Sequence, residues 1–226
     1  MFSRMQLLAS TEKIASRFNG KGIIGSETFV PKNEISGFDH APHPILLRYD
    51  QQFVWDYFQW GLVPPDWRKK PEEIWNHTIS AKLEYVSKRY AWQKVSDNRA
   101  LIPATAYFEY HWNDPKGNSK TKYIIRHTSE ELFGLAGLFS LWRNPEGNVL
   151  KTFAICTTEA NEIMQFVHNK DAAKNYHRMP IMLNRDTEMH WLDQSIPYID
   201  FGFPNYKPDL VAKPAMQNLP EQARLF

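Results

Sequence analysis

One carboxylate, Glu109, stands inside an aromatic run, Leu101-Ile-Pro-Ala-Thr-Ala-Tyr-Phe-Glu-Tyr-His-Trp112. An ionised side chain among Tyr107, Phe108, Tyr110 and Trp112 loses hydration, so it must be paired, hydrogen-bonded or protonated. Two readings follow. Strand alternation would put Glu109 on the solvent face of a half-buried strand. Alternatively, it is a general acid or base with a raised pKa at the floor of a cleft. His168 stands at the end of a helical stretch, and His177 directly before Arg178. On residue type alone both read as exposed loop histidines. His40-Ala-Pro-His43 has a metal-like spacing without a third ligand nearby and reads as loop surface. There is no CxxC and no HExxH, so no metal site is expected.

The elements that must position these groups belong to a chain of 226 residues, 42% hydrophobic, long enough for one large core. No composition shift divides it, and residues 1–226 read as one domain with an extended tail from about residue 197. Aromatic residues make up 14%, with eight Trp, which serve as core or as platforms for bases. A net charge of +2 and a pI near 8.5 fall short of a duplex-coating protein, so any nucleic acid is held locally. The lone Cys156 excludes an internal disulfide and fits a reducing compartment. No run approaches the eighteen or so apolar residues of a membrane helix, and the N-terminus lacks a secretion signature, so a cytoplasmic location is expected.

In chain order, a short strand precedes a helix over residues 10–18, with Ile14, Ala15 and Phe18 at helical spacing and Asn19-Gly20 ending it. Ile45 to Tyr49 and Phe53 to Trp60 read as strands, the second running into the rigid Trp60-Gly-Leu-Val-Pro-Pro65. Pro71-Glu-Glu marks a helix start, and Lys88-Arg-Tyr-Ala-Trp-Gln-Lys94 reads as a solvated helix face or as a clamp for a phosphate backbone. Strands follow at Tyr123 onward, Leu132 to Trp142 and Lys151 to Thr157; Gly134 and Gly137 imply close packing against the second. A helix from Thr158 to His168 places Ala160, Ile163, Met164 and Val167 on one face, capped by Thr157 or Thr158. A short strand at 178–183 and a helix at 186–192 precede a proline-rich, polar tail expected to wrap the surface or fray.

Six motifs in order, Trp60-Gly-Leu-Val-Pro, Ser80-Ala-Lys-Leu-Glu84, Leu101-Ile-Pro-Ala with Tyr107-Phe-Glu-Tyr, Leu135-Ala-Gly-Leu, Thr157-Thr-Glu-Ala-Asn161 and Arg178-Met-Pro, cover nearly the whole chain. Together they resemble the SOS response-associated peptidase family, the abasic-site processing proteins. The resemblance implies an α+β fold, a single domain built on curved, barrel-like antiparallel β-structure with flanking helices, and a groove for single-stranded or abasic-site DNA. It implies no cofactor. In that family the cysteine after the initiator methionine supplies an α-amine and a thiol that capture the abasic aldehyde as a thiazolidine, while a glutamate and a histidine handle protons.

Carried onto this chain, the proton-handling roles fall to Glu109 and His168, with His177 as the alternative histidine. Phe2 occupies the nucleophile position and Met1 carries the terminal amine. The DNA-contacting positions are Arg4, Trp60, Pro64, Ser80, Lys82 and Arg178, joined by Lys88 and Arg89 of the basic run. Phe2 brings no thiol, and Ser80 and Lys82 stand where the family carries asparagine and arginine, losing the amide and the bidentate fork. The expectation is therefore a DNA-damage protein that binds single-stranded or abasic DNA with its crosslinking and self-peptidase chemistry lost. Two alternatives are a lyase acting through an N-terminal Schiff base and a peptide-binding domain reusing the groove.

Overall fold

The computed structural model describes residues 2–18, 20, 29–50, 52–170 and 177–215. The first part of the chain forms strand β1 (Arg4–Leu7), helix α1 (Thr11–Phe18) and strand β2 (Lys32–Ser36). Ser10 Oγ accepts the Lys13 N–H at the helix start, and α1 buries Ile14 and Phe18. Strands β3 (Pro42–Tyr49) and β4 (Gln52–Trp60) then form a hairpin in register at Leu46 and Trp55. Residues 71–94 hold three short 3-10 turns, a strand β5 (Ser80–Lys82) and a one-turn helix α2 (Tyr90–Gln93), where the sequence pointed to a longer helix starting at Pro71. Next come β6 (Arg99–Ala104), β7 (Ala106–Trp112), β8 (Lys120–His127), β9 (Phe133–Arg143) and β10 (Val149–Glu159). The last elements are α3 (Glu162–Val167), β11 (Arg178–Pro180), β12 (Met182–Leu183), α4 (Glu188–Trp191) and β13 (Leu210–Pro214).

Five of these strands close on themselves. β4 pairs with β3, β3 with β6, β6 with β9, β9 with β10, and β10 in parallel with β4, giving a closed barrel. Closure leaves no free edge within the ring, which removes the liability of unpaired backbone groups. β5, β11 and β12 extend the outlying parts of β10 and β9. Alongside lies a second sheet in the order β13, β8, β7, β1, β2. β13 draws the tail into this sheet edge, and Phe201 of the same region is buried, so the proline-rich composition did not leave the whole segment loose.

The aromatic run read as one strand is two. β6 belongs to the barrel and β7 to the second sheet, with the chain changing sheets at Thr105. Long-range bonds fix the change: the Thr105 N–H donates to the Gln6 carbonyl at 2.8 Å, and the Leu8 N–H donates to Thr105 Oγ1 at 3.2 Å. The barrel interior is tight where the glycines of β9 face β6. A Cβ at Gly137 would lie 2.1 Å from Ile102 Cδ1 and 2.8 Å from the Ala154 carbonyl oxygen, so the close packing expected there is realised.

Candidate functional site

β10 is the spine of the site. At Thr157 it pairs with Lys82 of β5 on one side and with Pro180 of β11 on the other, and Glu159 pairs with Arg178. Lys82 and Arg178 are thereby held on either flank of one strand. Opposite them the chain enters β1 through Phe2, whose ring packs at 5.8 Å from Trp60 and edge-on at 5.5 Å from Tyr107. Between these elements lies a cavity of about 410 Å³ lined by Phe2, Ser80, Lys82, Arg89, His168, Lys170 and Arg178, with His77, Tyr85, Trp92 and Thr157 completing the wall.

α3 brings His168 to this wall. Its cap is Asn161, whose Oδ1 accepts the Met164 N–H at 3.0 Å; Thr157 and Thr158, expected as caps, belong to β10. Met164 and Val167 face the core, whereas Ile163, expected on the same face, is exposed. The far end is sewn to β7. Asn169 Oδ1 accepts the Trp112 N–H at 2.7 Å while its Nδ2 donates to the Trp112 carbonyl at 2.8 Å, and His111 stacks on Phe166 at 4.6 Å. This side-chain clamp extends the ladder of β7 and fixes the backbone on either side of it, His168 and Lys170.

His168 is buried, and its Nδ1 accepts the backbone N–H of Arg178 at 3.1 Å. Accepting there, the ring is neutral with its proton on Nε2. Burial, reinforced by the positive charges of the chain terminus, His177, Lys170 and Arg178, pushes its pKa down to about 4. His177 donates from Nδ1 to the His168 carbonyl at 2.7 Å and does not line the cavity, so the structure separates the two candidate histidines. Glu109 is half-buried on β7, with Oε1 accepting the Tyr110 N–H at 2.9 Å; like His177 it is not among the residues lining the cavity. Burial raises its carboxyl above the ordinary range, opposed by that hydrogen bond and by the charges of the chain terminus and Lys170. It projects from the same face of β7 as Tyr107, which touches Phe2. The Tyr107 hydroxyl is buried with no hydrogen-bond partner among the described residues, and burial together with the Glu109 charge raises its pKa.

On the cationic side, Arg178 makes a bidentate pair with Glu84 at 2.7 and 2.9 Å and donates to the Thr157 carbonyl at 2.7 Å. Lys82 and Arg89 both lie over the Tyr85 ring, at 5.6 and 5.4 Å. Burial and the Arg178 charge lower the Lys82 pKa against the opposing pull of Glu84.

Several expected contacts lie elsewhere. Trp60 is fully buried, donating from Nε1 to the Ile79 carbonyl at 2.7 Å and stacking on Phe153, so it supports the wall from behind and offers no face to a base. Pro64 is likewise buried, and Lys88 is exposed away from the cavity lining. Arg4 is paired with Glu34 at 2.5 Å, and Glu34 also binds Lys122. Met1 lies outside the described residues. Of the supposed loop histidines, His43 is buried in β3 and donates to the Pro103 carbonyl at 3.1 Å; no cluster of three metal-ligating side chains occurs among the described residues. Sequence reading passed over Tyr85 and Lys170. Their signal was adjacency, Tyr85 following Glu84 of a motif and Lys170 standing two residues beyond His168.

His43 and His168 make a pH prediction. Each has a folded pKa of about 4 against an ordinary 6.5, the first because of burial opposed by its hydrogen bond to Pro103. The unfolded chain therefore takes up these protons first, so their stabilising contribution is complete above pH 6.5 and is lost as pH falls toward 4. At pH 5 the loss is about 2 kcal/mol for each histidine. Glu188, whose carboxyl burial pushes up to about 7, gains over the same interval and opposes them. The check therefore compares the change in urea stability between pH 7 and pH 5 in the unmodified protein with that in His168→Gln; an equal change in the two would mean the His168 ring is not held neutral.

A closed barrel beside a second sheet is a fold already seen in crystals. A protein from Bacteroides thetaiotaomicron superposes with a TM-score of 0.82 at 24% identity, over 95% of this chain and 92% of that one. A Bordetella bronchiseptica protein gives 0.75 at 20% identity, over 95% and 100%. The chain belongs to the SOS response associated peptidase (SRAP) family, whose model matches residues 1–200. Among its relatives, the abasic site processing protein YoqW of Bacillus subtilis (strain 168) is 38% identical over 198 residues, 85% of this chain and 80% of that protein. The chicken (Gallus gallus) abasic site processing protein HMCES is 28% identical over 159 residues, 60% of this chain and 44% of that protein. No helix among the described residues is long and apolar enough to cross a membrane.

Proposed function

We propose that this protein acts in the DNA-damage response by holding an abasic site of single-stranded DNA in the cavity beside Phe2, without forming a durable covalent bond to it. The observation that carries this reading is the composition of one cavity. Lys82, Arg89, Lys170 and Arg178 share its wall with His168 and with Phe2. Phosphates favour the cationic flank, because ammonium and guanidinium groups release counterions on binding them. His168, neutral with Nε2–H, and Glu109, with a raised carboxyl, are suited to move protons at an aldehyde.

At the reacting position the side chain is a benzyl ring packed against Trp60 and Tyr107. A ring has no lone pair with which to trap an imine. An adduct formed by an amine alone is hydrolysed in water, so the complex is reversible. The reading is tested by equilibrium binding of an abasic single strand, an intact single strand, a duplex and an unrelated peptide, each as a competitor. The expected order places the abasic single strand first. A peptide or duplex that displaces it at equal concentration would move the cavity to a different class of ligand.

A further inference from the structure

We propose that Lys170 Nζ is the amine that condenses with the aldehyde of a ring-opened abasic sugar in this cavity, an inference that rests on the abasic-site reading above. Two primary amines of the described residues line the cavity, Lys82 and Lys170. They belong to different halves of it. Lys82 sits on β5 with Arg178, Glu84 and Arg89 as its charged neighbours, a setting that holds phosphate. Lys170 lines the other half together with His168, and stands over the Trp112 ring at the end of β7, the strand that carries Glu109.

The backbone at Lys170 is anchored. The preceding residue, Asn169, makes both of its bonds to the Trp112 backbone, and Lys170 Nζ lies 5.4 Å from the Trp112 ring, at the end of the strand that carries Glu109. An anchored main chain with a flexible four-carbon stem lets the ammonium leave an aromatic face and reach a carbonyl carbon inside the cavity. Arg89 and Arg178 line the same wall but are guanidinium groups, which do not form imines under these conditions.

The chemistry balances without an added oxidant or metal. The Lys170 ammonium first gives a proton to water; Nζ then attacks C1′ of the aldehyde, the C–N bond forms as the carbonyl π pair moves to oxygen, and a proton passes from the nitrogen to that oxygen to give a carbinolamine. Glu109 supplies a proton to that hydroxyl, which leaves as water, and a protonated imine remains. Loss of a C2′ proton to the Glu109 carboxylate then drives out the 3′ phosphate by cleavage of the C3′–O bond. Hydrolysis of the imine returns the lysine.

The test uses the full chain with an abasic single-stranded oligonucleotide and sodium borohydride, which reduces an imine to a stable amine. Peptide mass mapping is expected to place the reduced adduct on Lys170. In Lys170→Arg the trapped yield is expected to fall about tenfold or more, because a guanidinium keeps the charge but forms no imine. Titration of the same variant separates lost binding from lost chemistry. An adduct mapped to the Met1 α-amine or to Lys82, or an undiminished yield in Lys170→Arg, overturns the assignment. Abasic DNA bound with no trapped adduct also overturns it, while leaving the pocket reading intact. If the protein shows no preference for the abasic strand, both fall together.

Discussion

Phe2→Cys is expected to turn a protein that releases abasic DNA on denaturation and heating into one that retains it. The physical argument lies in what each side chain does to an imine. A terminal amine alone gives a C=N bond that water reverses, whereas a thiol on the same residue adds to that carbon and closes a ring that resists hydrolysis. The substitution also requires Met1 to be removed, a step that the bulky Phe2 is expected to hinder and a small cysteine to permit. It has a cost in stability. Phe2 is only 3% exposed and packs against Trp60 and Tyr107, so truncating it to cysteine is expected to cost about 2–4 kcal/mol through lost burial and the space left behind. Unfolding must therefore be measured beside crosslinking. Cys156 is fully buried in β10 and burial pushes its thiol up, so it is a poor competitor; Cys156→Ser in the same background checks this. A durable crosslink in the unmodified protein, surviving Cys156→Ser, would contradict the reversible reading.

The second large effect is on salt dependence. Arg178 is paired with Glu84 and Arg4 with Glu34, and in the proposed complex Lys82 and Arg89 are the cavity cations that meet phosphate while Lys170 stands at the sugar. Two phosphate contacts on a single strand give a slope of about −1.4 in log affinity against log salt, so raising salt from about 50 to 200 mM is expected to weaken binding about sevenfold. Arg89→Ala is expected to reduce that slope by about 0.7, the share of one contact. Arg4→Ala, by contrast, removes one partner of an ion pair that is more than a third exposed on the Arg4 side and should alter binding by less than about twofold. A steep loss on Arg4→Ala with a normal Arg89→Ala would place the phosphate path along β1 and away from the cavity.

Local pattern made much of the fold legible, and long-range contacts hid the rest. The β3–β4 hairpin, the strand at 133–143 and helix α1 follow from alternation, turn residues and a capped 3.6-residue period, and each formed close to where those signals put it. The break at Thr105 was invisible because the run stays apolar across it; what divides it is a pair of bonds to residues almost a hundred positions earlier, at Gln6 and Leu8. Asn161 could have been chosen as the cap of α3 over the two threonines, since its side chain sits three residues before the N–H it accepts.

The site was legible in its residue types and less so in its partners. Ser80, Lys82, Arg89, His168 and Arg178 meet around one cavity although they come from separate parts of the chain. Trp60 and Pro64 share the motif that pointed to the cavity but are buried and do not line it, because a motif marks a fold position without saying which way the side chain turns. Arg4 looked available for phosphate because Glu34, thirty residues on, is brought to it only by the pairing of β1 with β2.

The most direct measurement of the central claim is a parallel titration of an abasic single strand against the unmodified protein and against Lys82→Glu/Arg89→Glu. Both positions line the cavity, and reversing two charges there removes two phosphate contacts and adds repulsion, for an expected loss of about a hundredfold or more at low salt. Thermal unfolding of both proteins, run alongside, confirms that the comparison is between folded chains. Affinity lost from the variant with folding preserved is the result the account predicts; equal affinity in the two folded proteins would show that DNA is held somewhere other than the cavity beside Phe2.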